Sequence, residues 1–294
     1  RALQPALDGQ ADLVVHGGDL LYRARVPADL VCRAMRPLFR VADAGVPVLL
    51  VPGNHERSRI PFPLLTQHPR VHIFDRPRTF ALHRCGVRVA VAGFPFARRV
   101  GGGALAGLLE QTRWREHPAE LRLLCMHQAV EGAKVGIHDY AFRPGPEVIE
   151  RCAIPAGFAA VLTGHLHRAQ ILRRDLAAPV IYPGSVERTS FVEREETKGY
   201  YLLRFEPGED GGRLREAQFV PLPARPMRVL AVEGSAIERR VREGLDTCEM
   251  DAVVRVELSG EAAGRLNAAR LRALAPPSMN VSLAWRNGRV ARRS

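Results

Sequence analysis

Two histidines one residue apart, in Thr163-Gly164-His165-Leu166-His167, are the densest concentration of chemistry in the chain. The apolar run Phe158-Ala159-Ala160-Val161-Leu162 leads into them and reads as a buried strand. Gly164 allows a sharp exit from that strand. On such a turn both imidazoles can face one small volume, and imidazole is the commonest nitrogen ligand for a metal. Backbone-bonded histidines would give the same pattern, so the neighbouring signals decide. Gly17-Gly18-Asp19 follows the strand candidate Asp12–His16 and puts a carboxylate at a strand end, where α/β sheets place ligands. An isolated Asp there is equally a turn residue or a helix cap. His16 reads as a strand histidine with a local hydrogen bond. Pro52-Gly53-Asn54-His55-Glu56 follows the run Val46–Val51. Asn54 offers a hard oxygen ligand, and His55 points elsewhere, where it can meet a leaving group. His127 ends the run Leu121–Met126.

If those strand ends share one sheet edge, Asp19, Asn54, His127, His165 and His167 converge. One carboxylate, one amide oxygen and three imidazoles are too much polar matter to bury unless they hold ions. A carboxylate can bridge two cations about 3.5–4 Å apart, the clamp used for in-line phosphoester hydrolysis. His55 would then protonate the departing oxygen. Arg57 and Arg59, in a proline-broken loop, are candidate phosphate contacts or solvated loop arginines. His138 lines a substrate groove or belongs to a loop hydrogen-bond cluster.

The elements that must position these groups alternate between strand and helix. Ala2–Asp8 reads as the last turns of a helix. Pro27–Ala44 has an apolar stripe at helical spacing, with a start at Pro27, a kink at Pro37 and an end at Gly45. Val71–Phe74 and Val87–Gly93 read as strands of a meander, Ala104–Gln111 as a short helix, and Trp114 as a rim packing residue. Val180–Tyr182 is a further strand. Gly199–Phe205 and Gln218–Leu222 read as a hairpin around Pro207–Gly212. A proline-rich linker, Pro221–Pro226, leads to a small unit. Its predicted strands are Met227–Val232, Val253–Leu258 and Met279–Trp285. Its helices are Ser235–Glu243, opened by a serine cap, and Gly260–Leu274. These helices carry Arg239, Arg240, Arg242, Arg265, Arg270 and Arg272.

The 294 residues are 46% hydrophobic, enough for one large core and a small second domain. No apolar run is long enough to span a membrane. The five cysteines are scattered without a Cys-x-x-Cys, and read as reduced and structural in a cytoplasmic protein. A net charge of +12 suits a polyanionic partner, although an excess that is almost all Arg also fits genomic codon bias.

The order Gly-Asp, Gly-Asn-His-Glu, His, Gly-His-x-His resembles the calcineurin-like metallophosphoesterases over about residues 11–206. Leu124–Gln128 and Tyr182–Phe191 are similar to the DNA-repair nucleases of the Mre11/SbcD group. The resemblance implies an α/β fold: a two-sheet sandwich flanked by helices, residues 1–222, with a small α/β capping domain, 227–294. It implies two divalent ions, manganese by preference. Asn54, His127 and His165 would serve one ion and His167 the other, with Asp19 bridging and His55 as the acid. Arg188, in the Tyr182–Phe191 motif, joins Arg57 and His138 as a candidate substrate contact. The implied partners are DNA and a Rad50/SbcC-type ATPase, with room for a homodimer. The expected activity is a manganese-dependent DNA exo- or endonuclease. A phosphatase or phosphodiesterase on small nucleotides or phosphoproteins, and a DNA-end scaffold with an incomplete site, are the alternatives. The family opens with an Asp-x-His that supplies two ligands to the His167 ion. None precedes Asp19, so the first strand is expected to lie outside this sequence. If it is truly missing, one weak metal site and little activity are expected. Tyr22 stands where relatives carry Asp or His, which bears on exonuclease polarity.

Overall fold

The computed structural model describes residues 1–259 and 266–285. Contacts divide the chain into two compact units: residues 1–186 with 197–222, and residues 187–196 with those from 223 onward. The segment 187–196 thus groups with the C-terminal unit, although it lies inside the span 1–222.

The first unit begins with α1 (Gln4–Leu7), β1 (Val14–His16), α2 (Ala28–Asp43), β2 (Val48–Leu50) and β3 (Val71–Ile73). The three strands form one parallel sheet in the order β1-β2-β3. Helix α2 forms because Val31, Met35, Leu38, Val41 and Ala42 repeat at helical spacing and are all buried. Pro37 lies inside it, on the exposed side. Gly45, at φ 89°, turns the chain out in a conformation that side chains resist.

Strand alternation then builds the layers. Val48 and Leu50 pack with α2, whereas Leu49 and Val51 face the opposite way, into a second core. That core is shared with a six-stranded sheet. It contains β4 (Arg78–Arg84), β5 (Val87–Gly93), β6 (Leu121–Met126), β7 (Ala160–Thr163), β8 (Gln170–Leu172) and β9 (Val180–Tyr182). The spatial order is β8-β9-β7-β6-β5-β4, parallel except for the two antiparallel edge strands. Val89, Val91, Leu123 and Cys125 point into the inter-sheet core. Ala92, Leu124 and Met126 point outward, onto Leu105 and Leu109 of α3 (Ala104–Thr112). The layers run helix, sheet, sheet, helix, the sandwich of the metallophosphoesterase fold. A hairpin of β10 (Lys198–Glu206) and β11 (Arg213–Leu222) completes the unit around the expected turn.

Some local expectations need correcting. Val71–Ile73 and Val87–Gly93 are in different sheets, so they do not form a meander. The strand Arg78–Arg84 between them was missed because its apolar residues, Phe80, Ala81 and Leu82, are bracketed by Arg, Thr and His. Trp114 is not at a rim but buried, 4.4 Å from the ring of Phe158. The five cysteines are free, but Cys32, Cys85 and Cys152 are exposed rather than structural. No helix among the described residues is long and apolar enough to cross a membrane.

The second unit carries β12 (Met227–Val232), α4 (Ile237–Asp246), β13 (Val253–Leu258), α5 (Ala268–Leu274) and β14 (Asn280–Trp285). Its strands are parallel, in the order β12-β13-β14. Ser235 does not cap α4; Ala236, at φ 60°, occupies the cap position without a side-chain bond. Asn267 caps α5 instead, accepting the Arg270 N–H at 2.8 Å. The part of the predicted second helix at 260–265, with Arg265, lies outside the described residues. Several helix arginines are engaged locally. Arg239 pairs with Glu243, Arg270 with Glu238, and Arg240 donates to the Glu233 carbonyl.

Candidate metal centre

The parallel strands deliver their carboxyl ends to one edge. Met126 of β6 is in register with Thr163 of β7, so His127 and Gly164 leave the sheet side by side. The first sheet meets them there. A Cβ on Gly164 would strike the Gly17 carbonyl, and one on Gly18 would strike the His127 ring. Glycine at these positions lets two backbones and an imidazole pack where any side chain would separate them.

Asp19, Asn54, His127 and His165 come together at this edge. His127, 1% exposed, places Nε2 at 3.0 Å from Asn54 Oδ1 and 3.1 Å from Asp19 Oδ2. His165 Nδ1 lies 3.0 Å from the same Asn54 oxygen. Asp19 and His165 both hold positive φ, 53° and 80°. These are costly conformations for residues with side chains, of the kind that cluster at functional sites. His55 stands at the margin. Its N–H donates to Asp19 Oδ1 at 3.0 Å, its Nδ1 is 3.1 Å from the Tyr22 carbonyl, and its Nε2 is 3.9 Å from Asp19 Oδ2. Half of its side chain is exposed.

His127 Nδ1 is 2.7 Å from the Gly17 carbonyl, which accepts only, so Nδ1 carries the proton. Nε2 faces two oxygens, one of the Asp19 carboxylate and one of the Asn54 amide. An Nε2–H donor or a metal cation in its place satisfies both oxygens. His165 is neutral at pH 7, because burial, aided by the charge of His127, pushes its pKa down to about 4. Burial is the largest influence on Asp19 and works against its ionisation. The hydrogen bond and charge of His127, with the His55 N–H, outweigh it and hold the carboxyl below its ordinary range. A carboxylate, an amide oxygen and two imidazoles are donors that fit a divalent cation of intermediate hardness. Among the described residues, no three or more His, Cys, Asp or Glu side chains stand ready around one metal position. Here the donor atoms contact one another, and the fourth member is an amide.

His167 is tied through its backbone: its carbonyl accepts from Lys198 Nζ at 3.0 Å and from the Ser185 N–H at 3.2 Å. Its charge also helps to depress His165. Arg57 is exposed beside His55, at φ 53°. His138 is exposed at the tip of a small hairpin, Lys134–Val135 with Tyr140–Ala141. The tip is pinned by Arg168, which bonds Asp139 and the Gly136 carbonyl. The Arg188 guanidinium donates to the carbonyls of Glu196 and Arg225, all within the second unit. His16 accepts the Gly18 N–H at 3.3 Å, the local bond expected of a strand histidine.

Three positioning residues escaped the sequence reading. Glu56, 1% exposed, accepts the Leu21 N–H at 2.7 Å and the Gly53 N–H at 2.9 Å, tying the Asp19 loop to the Asn54 loop. Burial raises its pKa, and the two N–H bonds work against that rise. Thr163 Oγ1 accepts the Gln128 N–H and donates to its carbonyl, joining the two histidine loops. Lys198, almost fully buried, holds the His167 carbonyl. An acid directly behind a glycine turn was the one available signal for Glu56. Thr163 and Lys198 gave none, since their partners are 31 to 35 residues away.

With this geometry in place, comparison with known proteins gives the class. A family model described as calcineurin-like phosphoesterase matches residues 1–169. The chain belongs to that family, and membership implies divalent metal ions. Among curated proteins it is similar to the DNA double-strand break repair protein Mre11 of Haloferax volcanii, 31% identical over 265 residues. That alignment covers 89% of this chain and 55% of the relative. Mre11 of Methanopyrus kandleri is 27% identical over 267 residues, covering 83% of this chain and 56% of that protein. The SbcD component of the nuclease SbcCD of Bacillus subtilis is 26% identical over 231 residues, covering 69% and 58%. The chain spans little more than half the length of these relatives.

Proposed function

We propose that this chain carries the catalytic region of a metal-dependent DNA phosphodiesterase of DNA repair, working in the cytoplasm with a Rad50/SbcC-type ATPase. The single observation behind this is the convergence of Asp19, Asn54, His127 and His165, whose donor atoms meet at 3.0–3.1 Å at one sheet edge. Asp19, Asn54, His127 and His165 would hold one ion, and Asp19 with His167 would contribute to a second. Manganese suits this mixed oxygen and imidazole set. Bound ions would supply Lewis-acid neutralisation of the phosphoryl oxygens and an activated water. The chain's own part is narrower. Gly17 fixes the His127 tautomer, Glu56 fixes the spacing of the Asp19 and Asn54 loops, and His55 delivers a proton to the departing ester oxygen. Residues 1–222 would form the nuclease domain and 227–294 a capping domain. Similarity to Mre11 and SbcD, together with the +12 charge, favours DNA.

A small nucleotide or phosphoprotein substrate is the second reading. The local partners of Arg239, Arg240 and Arg270 support it, because each of these arginines already meets an oxygen of its own unit. Turnover of single-stranded DNA, a cyclic nucleotide and p-nitrophenyl phosphate with added Mn2+ separates the two. The nuclease reading expects DNA to be cleaved best. It also expects His55→Ala to lose about 10²–10⁴-fold in turnover while Mn2+ and DNA binding persist. Hydrolysis confined to p-nitrophenyl phosphate or the cyclic nucleotide would overturn it.

A further inference from the structure

Phe96 is an aromatic side chain that no core uses. Phe94, two residues earlier, is fully buried in the outer core, and Ala97 packs against that core. Phe96 joins none of the hydrophobic clusters among the described residues, and it remains partly exposed. Its ring lies 6.2 Å from the His127 ring and 5.9 Å from the His165 ring, centroid to centroid. It therefore walls the imidazole side of the centre.

The backbone that carries it is fixed from several directions. The Phe96 N–H donates to the Pro52 carbonyl at 2.9 Å. Its own carbonyl accepts Ser58 Oγ at 2.5 Å, and the Ala97 carbonyl accepts Gln128 Nε2 at 3.0 Å. The residues that hold Phe96 flank Asn54, His55 and His127. The backbone that bears the ring is thus anchored beside both the acid and the ligands, and the ring meets the two imidazoles rather than a hydrophobic core. Arg98 and Arg99 follow at once. Both are exposed, and no carboxylate among the described residues pairs with either.

We propose that Phe96 is a specificity residue: it packs against the nucleobase flanking the scissile phosphate, while Arg98 and Arg99 contact the next phosphates of the strand. A partly exposed ring beside a phosphoester site offers a π-face to any base, and guanidinia two and three residues on suit a polyanionic chain. The expected substrate is accordingly a single-stranded polynucleotide end, read by stacking rather than by base identity. This inference rests on the phosphodiesterase reading above.

The test uses two short single-stranded oligonucleotides of equal length. One carries thymines throughout, and the other has an abasic residue at one position beside the cleaved bond, placed on either side in turn. Cleavage is measured with Mn2+, and binding of the labelled strands by fluorescence anisotropy in chelator. Wild type should prefer the thymine strand by roughly ten- to a hundredfold in kcat/KM, mostly through KM. Phe96→Ala should lose that preference and bind the thymine strand more weakly, with a smaller loss on the abasic strand than on the thymine strand. Phe96→Trp should restore the preference. Equal cleavage of both strands by wild type, or an equal loss on both in Phe96→Ala, overturns the stacking role and leaves the nuclease reading intact. Neither strand bound nor cleaved by wild type overturns both.

Discussion

Replacing Glu56 by alanine tests how the centre is assembled. The Glu56 carboxylate is buried and satisfies the N–H groups of Leu21 and Gly53, which head the loops of Asp19 and Asn54. Each buried donor left without a partner costs about 1–3 kcal/mol. Removing a buried carboxylate returns part of that, since burial already disfavours its charge. A net loss of about 2–4 kcal/mol in folding stability is expected. The functional consequence is larger than the stability loss suggests, because the two loops would no longer be held at fixed spacing. Loss of an outer partner of metal ligands typically weakens metal binding by about 10–100-fold. Chemical denaturation gives the first quantity and calorimetric titration of Mn2+ into chelator-treated protein gives the second. Glu56→Gln should fall between wild type and alanine, since its amide oxygen still accepts one N–H. The raised pKa adds a signature. The folded state binds this proton more tightly than the unfolded chain, so the stability from that proton is present below pH 4.5 and is lost as pH rises through the folded value. Glu56→Gln abolishes that loss. Alanine stability within about 0.5 kcal/mol of wild type, with unchanged Mn2+ affinity, would refute the reasoning.

Three further outcomes are expected. Gly164→Ala puts a methyl group against the Gly17 carbonyl, so it should destabilise by about 1–3 kcal/mol or more in a thermal or denaturant melt and weaken Mn2+ binding; a neutral result would mean the strand ends are not in contact. Burial, with the charge of His127, pushes the His16 pKa down from 6.5 to about 4. The unfolded chain therefore takes up a proton first, and metal-free protein should lose up to about 3 kcal/mol of stability as pH falls from 6.5 towards 4. His16→Gln should flatten that decline, as followed by denaturation across the range; an unchanged pH profile would discount the shift. DNA binding should weaken with salt, and Arg98→Ala and Arg99→Ala should each reduce the slope of log affinity against log salt by about 1. An unaltered slope would remove these arginines from the phosphate path.

Much of this was legible along the chain. Apolar runs at Val46–Val51, Leu121–Met126 and Phe158–Leu162 announce buried strands whatever their partners. Gly-Asp, Gly-Asn-His and Gly-His-x-His place ligand-type residues where such strands end. Local propensity therefore located the strands and motif spacing named the candidate ligands, while the two-sheet sandwich followed from the resemblance those motifs carry. They were not enough for what lies between. Arg78–Arg84 pairs as an edge strand, where one face stays wet and the apolar pattern is weak. Arg188 sits in a motif-like stretch yet spends its guanidinium on carbonyls of its own unit. The clamp made by Glu56 joins backbone groups at positions 21 and 53, and Lys198 reaches the carbonyl of residue 167.

The one-dimensional order of residues determined which chemical groups were present and which of them would emerge at strand ends. Tertiary structure alone decided that the Gly17 carbonyl meets His127 Nδ1 across 110 residues, and so which nitrogen faces Asp19 and Asn54. The physical reason is that propensity and periodicity act over a few neighbouring residues. The protonation and orientation of a buried ring depend on whichever distant backbone the packing of two sheets brings against it.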